Sequence, residues 1–205
     1  MTGSGKTTFS RKLLHTYRVH YGDAPIYILD TKQSGDFRGW KGAVFTEEAP
    51  LAIPYGMQVW QPPIDNFAQF DAWFRNIFNA RIPAIVMVDE LSSIGKGVKE
   101  QAYPRHFQIM LKQGRALGIC VIVLTQEVAK ISRQVLNQLS HLLRFRLLDS
   151  YDAMVMDKKL GRRNRADGRE DDLGEPPDEY GFFYARLDKG GVTNAFYYPS
   201  YERFF

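Results

Sequence analysis

Apolar and polar positions alternate along this chain with two periods. From Thr7 to about His20 the spacing is helical, with Phe9, Leu13, Leu14 and Tyr17 on one face. Ala24-Pro25 breaks that pattern, and Ile26-Tyr27-Ile28-Leu29 reads as a buried strand ending at Asp30. Thr31–Gly42 is polar and glycine-bearing, which predicts a loop. Pro50–Pro63 holds four prolines around a short strand candidate, Gln58–Trp60. Asp65 reads as a helix cap before the stripe Phe67, Phe70, Phe74, Ile77 and Phe78. Ile85-Val86-Met87-Val88 is a continuous apolar strand ending in Asp89-Glu90. A glycine-rich loop and a helix from about Lys99 to Leu117 follow, the helix stopped by Gly118. Ile119–Thr125 is a second wholly apolar strand, ending at Gln126. A helix through Ile131, Val135, Leu136 and Leu139 then leads to a strand at about Leu142–Leu148. Uniformly apolar strands alternating with helices predict an α/β fold whose mostly parallel sheet is covered on both faces. The tail differs, because Gly181–Leu187 and Val192–Pro199 flank Asp188-Lys189-Gly190-Gly191, a β-hairpin signal.

Composition narrows the class without changing that picture. The chain has 205 residues, 44% hydrophobic and 24% charged, which suits a single domain with a core over 1–150 and a basic loop and hairpin over 151–205. Its apolar runs fall far short of the roughly 20 residues of a membrane span, so no transmembrane segment is expected. Cys120 is the sole cysteine, and the default compartment is a reducing cytoplasm. A net charge of +4 permits a nucleic-acid partner without requiring one. His15, His20, His106 and His141 show no metal-ligand spacing, and no zinc site is assigned.

Three pieces carry candidate chemistry. Met1-Thr2-Gly3-Ser4-Gly5-Lys6-Thr7-Thr8 reads as the second half of a phosphate-binding loop, G-x-x-x-x-G-K-[ST]. Its leading glycine would sit one position before Met1, and the strand that feeds such a loop is missing. The reading favoured here takes Met1 as an internal methionine, since a sheet without its central strand leaves unpaired backbone groups costing about 1–3 kcal/mol each. Thr2 to Thr8 would cradle phosphate at a helix N-terminus. Lys6 would reach the β- and γ-phosphates of ATP, and the Thr7 hydroxyl would ligate Mg²⁺. The second piece is Asp89-Glu90 at a strand's carboxyl end, where parallel sheets place ligands. Asp89 suits holding Mg²⁺ and Glu90 polarising the attacking water. The third is Gln126, a lone amide at the next strand's end, which could sense the γ-phosphate or merely cap a helix.

With Leu29-Asp30-Thr31-Lys32, Gln113-Gly114-Arg115-Ala116-Leu117-Gly118-Ile119 and Val123-Leu124-Thr125-Gln126, these motifs stand in an order that resembles the HerA/FtsK superfamily of P-loop ATPases. The likeness runs from residue 1 to about 160. The compact size is similar to the genome-packaging ATPases of membrane-containing icosahedral viruses. The resemblance implies a RecA/ASCE-like P-loop NTPase fold, with the first strand missing here, and ATP hydrolysis with Mg²⁺ coupled to moving double-stranded DNA. It also implies a homo-oligomeric, hexameric ring in the host cytoplasm, with a virion or membrane protein as a further candidate partner. Arg115 matches the family's Gly-Arg step, where an arginine is suspected of completing a neighbouring subunit's site. The duller alternative is a solvated helix-end cation.

Other residues leave more than one reading open. Asp30 and Lys32 follow a strand near the expected nucleotide site, or form a surface ion pair. Arg144 and Arg146 should share one face, toward a subunit interface or solvent. Lys158-Lys159-Leu160-Gly161-Arg162-Arg163-Asn164-Arg165, continuing to Arg169, could neutralise DNA phosphates or be a solvated loop. Lys96–Lys99 is the other candidate DNA loop. Alternatives to a DNA motor are a small-molecule P-loop kinase with 158–169 as its lid, a conjugation or DNA-processing ATPase, and a nucleotide-switched assembly protein.

Overall fold

The computed structural model describes residues 5–32, 37, 43–46, 48–62, 67–95, 103–145, 147, 149–160, 163–164, 170–171, 182–188 and 191–198. Its contacts gather in two units. The larger comprises Ser10–Gln126 with Lys130–Gln138, and the smaller Met1–Phe9, Glu127–Ala129 and Leu139–Phe205. Among the described residues no helix is long and apolar enough to cross a membrane.

The larger unit is built on a five-stranded sheet. Its strands are β1 (Ile26–Leu29), β2 (Ala43–Thr46), β3 (Met57–Trp60), β4 (Ala84–Val88) and β5 (Ile119–Val123), in the order β2-β3-β1-β4-β5. All four pairings are parallel. Register aligns Ile26 with Met57 and Ile85, and Ile85 with Cys120. These side chains therefore share a face, as do Ile28, Val59, Met87 and Ile122 two residues on. Leu14 and Tyr17 of helix α1 (Lys6–Tyr21) pack on that face in one apolar cluster. The opposite face meets helix α2 (Phe67–Ala80) and helix α3 (Arg105–Gln113). There an aromatic chain runs from Trp60 to Trp73 at 5.8 Å, to Phe74 at 5.0 Å and on to Phe107 at 5.0 Å. Strands apolar on both sides and helices on both faces go together, because each face needs its own cover.

The proline-rich stretch before β3 is fixed from beneath. Tyr27 donates its hydroxyl to the Ile53 carbonyl, while Gln58 Nε2 donates to Leu51 O at 3.0 Å and Asn76 Nδ2 to Pro50 O at 3.4 Å. Gly118 turns the chain into β5 with φ +72°, and a Cβ there would stand 3.0 Å from Pro83, so this turn needs glycine.

Several local expectations are corrected. The helix expected from about Lys99 begins at Arg105, after Pro104 in extended conformation, with φ −49° and ψ 136°. Proline supplies no N–H and biases the preceding residue away from helix, which sets the boundary. The last turn, Gly114–Leu117, tightens to 3₁₀. The helix expected through Leu139 is a 3₁₀ turn, Val128–Lys130, and a short helix α4 (Arg133–Leu136). The Ser132 hydroxyl caps α4 by accepting from Val135 N at 3.4 Å. Strand β2 lies where the pattern predicted none. Asp65 and Lys96–Lys99 lie outside the described residues.

The smaller unit holds an antiparallel sheet in the order β10-β9-β6, from β6 (His141–Phe145), β9 (Phe182–Asp188) and β10 (Gly191–Tyr198). The strand expected at Leu142–Leu148 thus pairs antiparallel with β9 rather than joining the parallel sheet. The hairpin is present as expected. Its register shifts between Val192 and Ala195. One face buries Val128, Leu142, Met156, Phe183 and Ala185 in a second apolar cluster. Phe145 and Phe182, partners in register and hence on the other face, meet Phe9 at 5.7 and 5.1 Å. Arg144 is buried at 1% exposure, its guanidinium 6.0 Å from the Phe183 ring centroid, so it faces neither solvent nor an open interface. Helix α5 (Ser150–Leu160) takes up Lys158, Lys159 and Leu160 of the stretch read as a loop. Asp149 Oδ1 caps α5, accepting from Tyr151 N at 2.8 Å and Asp152 N at 3.0 Å. A two-stranded ladder of β7 (Arg163–Asn164) and β8 (Glu170–Asp171) follows, while 161–162 and 165–169 lie outside the described residues.

Candidate active site

The ladder hydrogen bonds of the parallel sheet continue one residue past its central strands. Asp30 N donates to Trp60 O at 2.9 Å, Asp89 N to Leu29 O at 3.0 Å, and Leu124 N to Val88 O at 2.9 Å. Leu91 N then donates to Leu124 O at 2.8 Å. Glu90 is therefore held between two backbone anchors, at the carboxyl ends of β1, β4 and β5. Asp30, Asp89 and Glu90 are buried there, at 0%, 1% and 6% exposure. A buried carboxylate needs donors or a cation.

The Glu90 carboxylate has them. Oε1 accepts from Ser92 Oγ at 2.9 Å, Thr125 Oγ1 at 2.8 Å and the Gln126 backbone N–H at 3.3 Å. Oε2 lies 3.3 Å from Lys32 Nζ, which is also 4.0 Å from Asp89 Oδ2. Asp30 Oδ2 accepts from Gln61 Nε2 at 2.8 Å. Asp89, Glu90, Gln126 and Lys32 thus converge, and Gln126 meets Glu90 through its main chain. Lys32 belongs to this group rather than to a surface pair. Ser92 and Thr125 carry no role in the sequence reading. Their only sequence signals are a hydroxyl two residues past the acid and another just before the amide.

Arg115 stands elsewhere. It is exposed in the 3₁₀ turn that precedes β5, at the amino ends of the strands. About 15 Å of parallel strand separates those ends from the carboxylates. In the smaller unit Gly5 has φ +78°, a left-handed conformation that favours glycine. Its carbonyl accepts from Phe9 N at 2.8 Å, and Lys6, Thr7 and Thr8 form the first turn of α1. Thr2, Gly3 and Ser4 lie outside the described residues. Among the described residues no three His, Cys, Asp or Glu side chains cluster to hold a metal ion by themselves.

The fold is that of a P-loop NTPase. The genome packaging NTPase B204 of Sulfolobus turreted icosahedral virus 2, in complex with sulfate, superposes with a TM-score of 0.69 at 14% identity, covering 96% of this chain and 91% of that one. The same protein in complex with ATP-gammaS gives 0.65 at 14% identity over 93% and 90%. B204, the DNA-packaging ATPase of Sulfolobus turreted icosahedral virus, gives 0.68 at 15% identity over 93% and 90%. At such identities the likeness is one of fold. No protein-family model matches the chain, and no curated protein matches it in sequence.

Proposed function

We propose that this chain is the ATP-hydrolysing subunit of a motor that moves double-stranded DNA, acting in genome packaging. The observation that carries the reading is Glu90, a buried carboxylate at the carboxyl end of β4, beside Asp89 and bonded to Thr125 and Gln126 just past the end of β5. Likeness to packaging NTPases over most of both chains supports it.

In this reading 1–205 is one ATPase domain. Backbone N–H groups of Thr2 to Thr8 and the Lys6 ammonium bind the phosphates. Thr7 and Asp89 supply hydroxyl and carboxylate oxygens, the donor type Mg²⁺ takes when phosphates and water complete its shell. Bound Mg²⁺ would neutralise charge on the phosphates. Glu90 takes a proton from the water that attacks the γ-phosphorus, the bond to the β-phosphate oxygen breaks, and ADP leaves. Gln126 orients that water. Arg115 reaches a neighbouring copy's γ-phosphate in a hexameric ring, with virion or membrane proteins as further partners in the host cytoplasm.

The test is ATP turnover by the full chain with Mg²⁺, with and without duplex DNA. Turnover should rise with DNA and disappear in Glu90→Gln while ATP binding persists. Indifference to DNA, or phosphate transfer to a nucleoside instead of water, would overturn the motor reading.

A further inference from the structure

The crossover from β2 to β3 is locked to the core, yet it shows apolar side chains to solvent. Tyr27 and Gln58 are opposed in the register of β1 with β3 and buried at 1% and 4% exposure. Each carries a polar group into an otherwise apolar strand and donates it to a crossover carbonyl, Tyr27 to Ile53 and Gln58 to Leu51 at 3.0 Å. Burial pushes the Tyr27 phenol up to about 12, which keeps it a donor at neutral pH. Asn76 of α2 adds a third bond, to Pro50 O at 3.4 Å. Leu51 and Tyr55 nevertheless stand 77% and 69% exposed. Single exposed apolar residues are ordinary. Two on a segment fixed from beneath are different, because that backbone has already lost the freedom that association would otherwise remove.

The crossover ends where the parallel sheet begins. Ile26 N donates to Gly56 O at 2.9 Å, Ile85 N to Pro25 O at 3.0 Å and Ala84 N to Gly118 O at 3.3 Å. The segments entering β3, β1, β4 and β5 are thus stitched side by side. Tyr55 directly precedes Gly56, and Arg81 and Arg115 precede β4 and β5, both exposed. Arg81 holds its place with φ 52°, a conformation a bulky residue rarely takes. Three strand spacings of about 4.8 Å put Tyr55 and Arg115 about 14 Å apart across this end. That lies within the roughly 30 Å breadth of an interface burying about 800 Å² per partner. Tyrosine and arginine are also the side chains that dominate interface energetics. Arg115 identifies the occupant. About 15 Å of strand separates it from its own carboxylates, so in the proposed function it acts on another copy, and that copy must lie against this end.

We infer that the amino ends of the strands are the surface through which one copy docks on the next, with Leu51 and Tyr55 as its apolar anchors and Arg81 and Arg115 beside them. This rests on Arg115 serving a neighbouring copy in the proposed function.

Sedimentation velocity of the full chain with ATP and Mg²⁺, over rising protein concentration, tests the surface. Wild type should assemble. Leu51→Asp combined with Tyr55→Asp should raise the concentration at half-assembly by about tenfold or more. Tyr151→Asp, which charges a comparably exposed tyrosine on α5, should assemble as wild type does. Turnover by the double variant should fall at low concentration and return where it assembles, since its carboxylates are untouched. Thermal melts check its fold, and if it does not fold, Leu51→Ser and Tyr55→Ser are read in the same way. Unchanged assembly of the double variant, or an equal loss in Tyr151→Asp, overturns this surface and leaves the motor reading standing. A wild type that stays monomeric with duplex DNA also present overturns the surface and the ring together.

Discussion

Asp30 shows what burial demands of one side chain. It is fully buried, Oδ2 accepts from Gln61 Nε2 at 2.8 Å, and Oδ1 has no hydrogen-bond partner among the described residues. Gln61 is therefore the side chain that offsets the desolvation of a carboxylate, and losing it exposes the asymmetry between making a hydrogen bond and leaving one unmade. Gln61→Leu should lower stability by about 1–3 kcal/mol in denaturant unfolding, and adding Asp30→Asn should recover part of that loss. A Gln61→Leu protein as stable as wild type would show that Asp30 needs no donor. At this scale the sequence made some of the site legible. Asp89, Glu90 and Gln126 could be read because each ends an apolar strand, where a polar residue has no packing reason to be. Ser92 and Thr125 could not, since a hydroxyl's role depends on an acid brought near by strand pairing, 35 residues away in the case of Thr125. Lys32 was legible as a neighbour of the site, but not as the partner of Glu90.

Helices α2 and α3 are joined by more than aromatic packing. The Asp71 carboxylate accepts from His106 N at 2.7 Å and meets His106 Nδ1 at 2.8 Å. Burial alone would raise the Asp71 pKa, but the backbone and ring hydrogen bonds from His106, with the charges of His106 and Arg75, outweigh it and hold it below its ordinary value. A carboxylate whose folded pKa lies below its unfolded one adds stability that is fully present above the ordinary carboxylate range and fades as pH falls through the lower value. Asp71→Asn should cost about 0.5–1 kcal/mol at pH 7, a figure held down by the pair's partial exposure. That difference from wild type should shrink below about pH 4. Denaturant melts of both proteins from pH 7 to pH 2.5 measure it, and a pH-independent gap would mean that the contact works through packing alone. Element boundaries were less legible than element types. The parallel order followed from strands apolar on both sides, and the hairpin from its glycine pair. The start of α3 hid behind Pro104 because the apolar pattern runs through it. Helix α5 hid because its lysines suggested a loop, although Asp149 caps it through two backbone N–H groups.

The parallel sheet gives the larger unit two chemically different ends. Asp30, Lys32, Asp89 and Glu90 gather at the carboxyl ends of its strands, while Arg115 is exposed before β5 at the amino ends. With about 15 Å of strand between them, an arginine side chain cannot reach the carboxylates of its own copy. If Arg115 serves hydrolysis at all, it serves another copy, in a head-to-tail contact that closes into a ring. Two inactive proteins should then repair each other. Arg115→Ala keeps its own Glu90 but offers its neighbour no arginine, and Glu90→Gln does the reverse. In randomly mixed rings a working site needs an Arg115→Ala subunit beside a Glu90→Gln subunit on the donating side, which arises at about a quarter of the interfaces of a closed head-to-tail ring. An equimolar, co-refolded mixture should therefore recover up to about that fraction of wild-type turnover, while each variant alone stays near zero. Sedimentation must show that the mixture assembles as wild type does. Assembled rings with no recovery, or full activity in Arg115→Ala alone, would return Arg115 to the role of a solvated cation at a helix end.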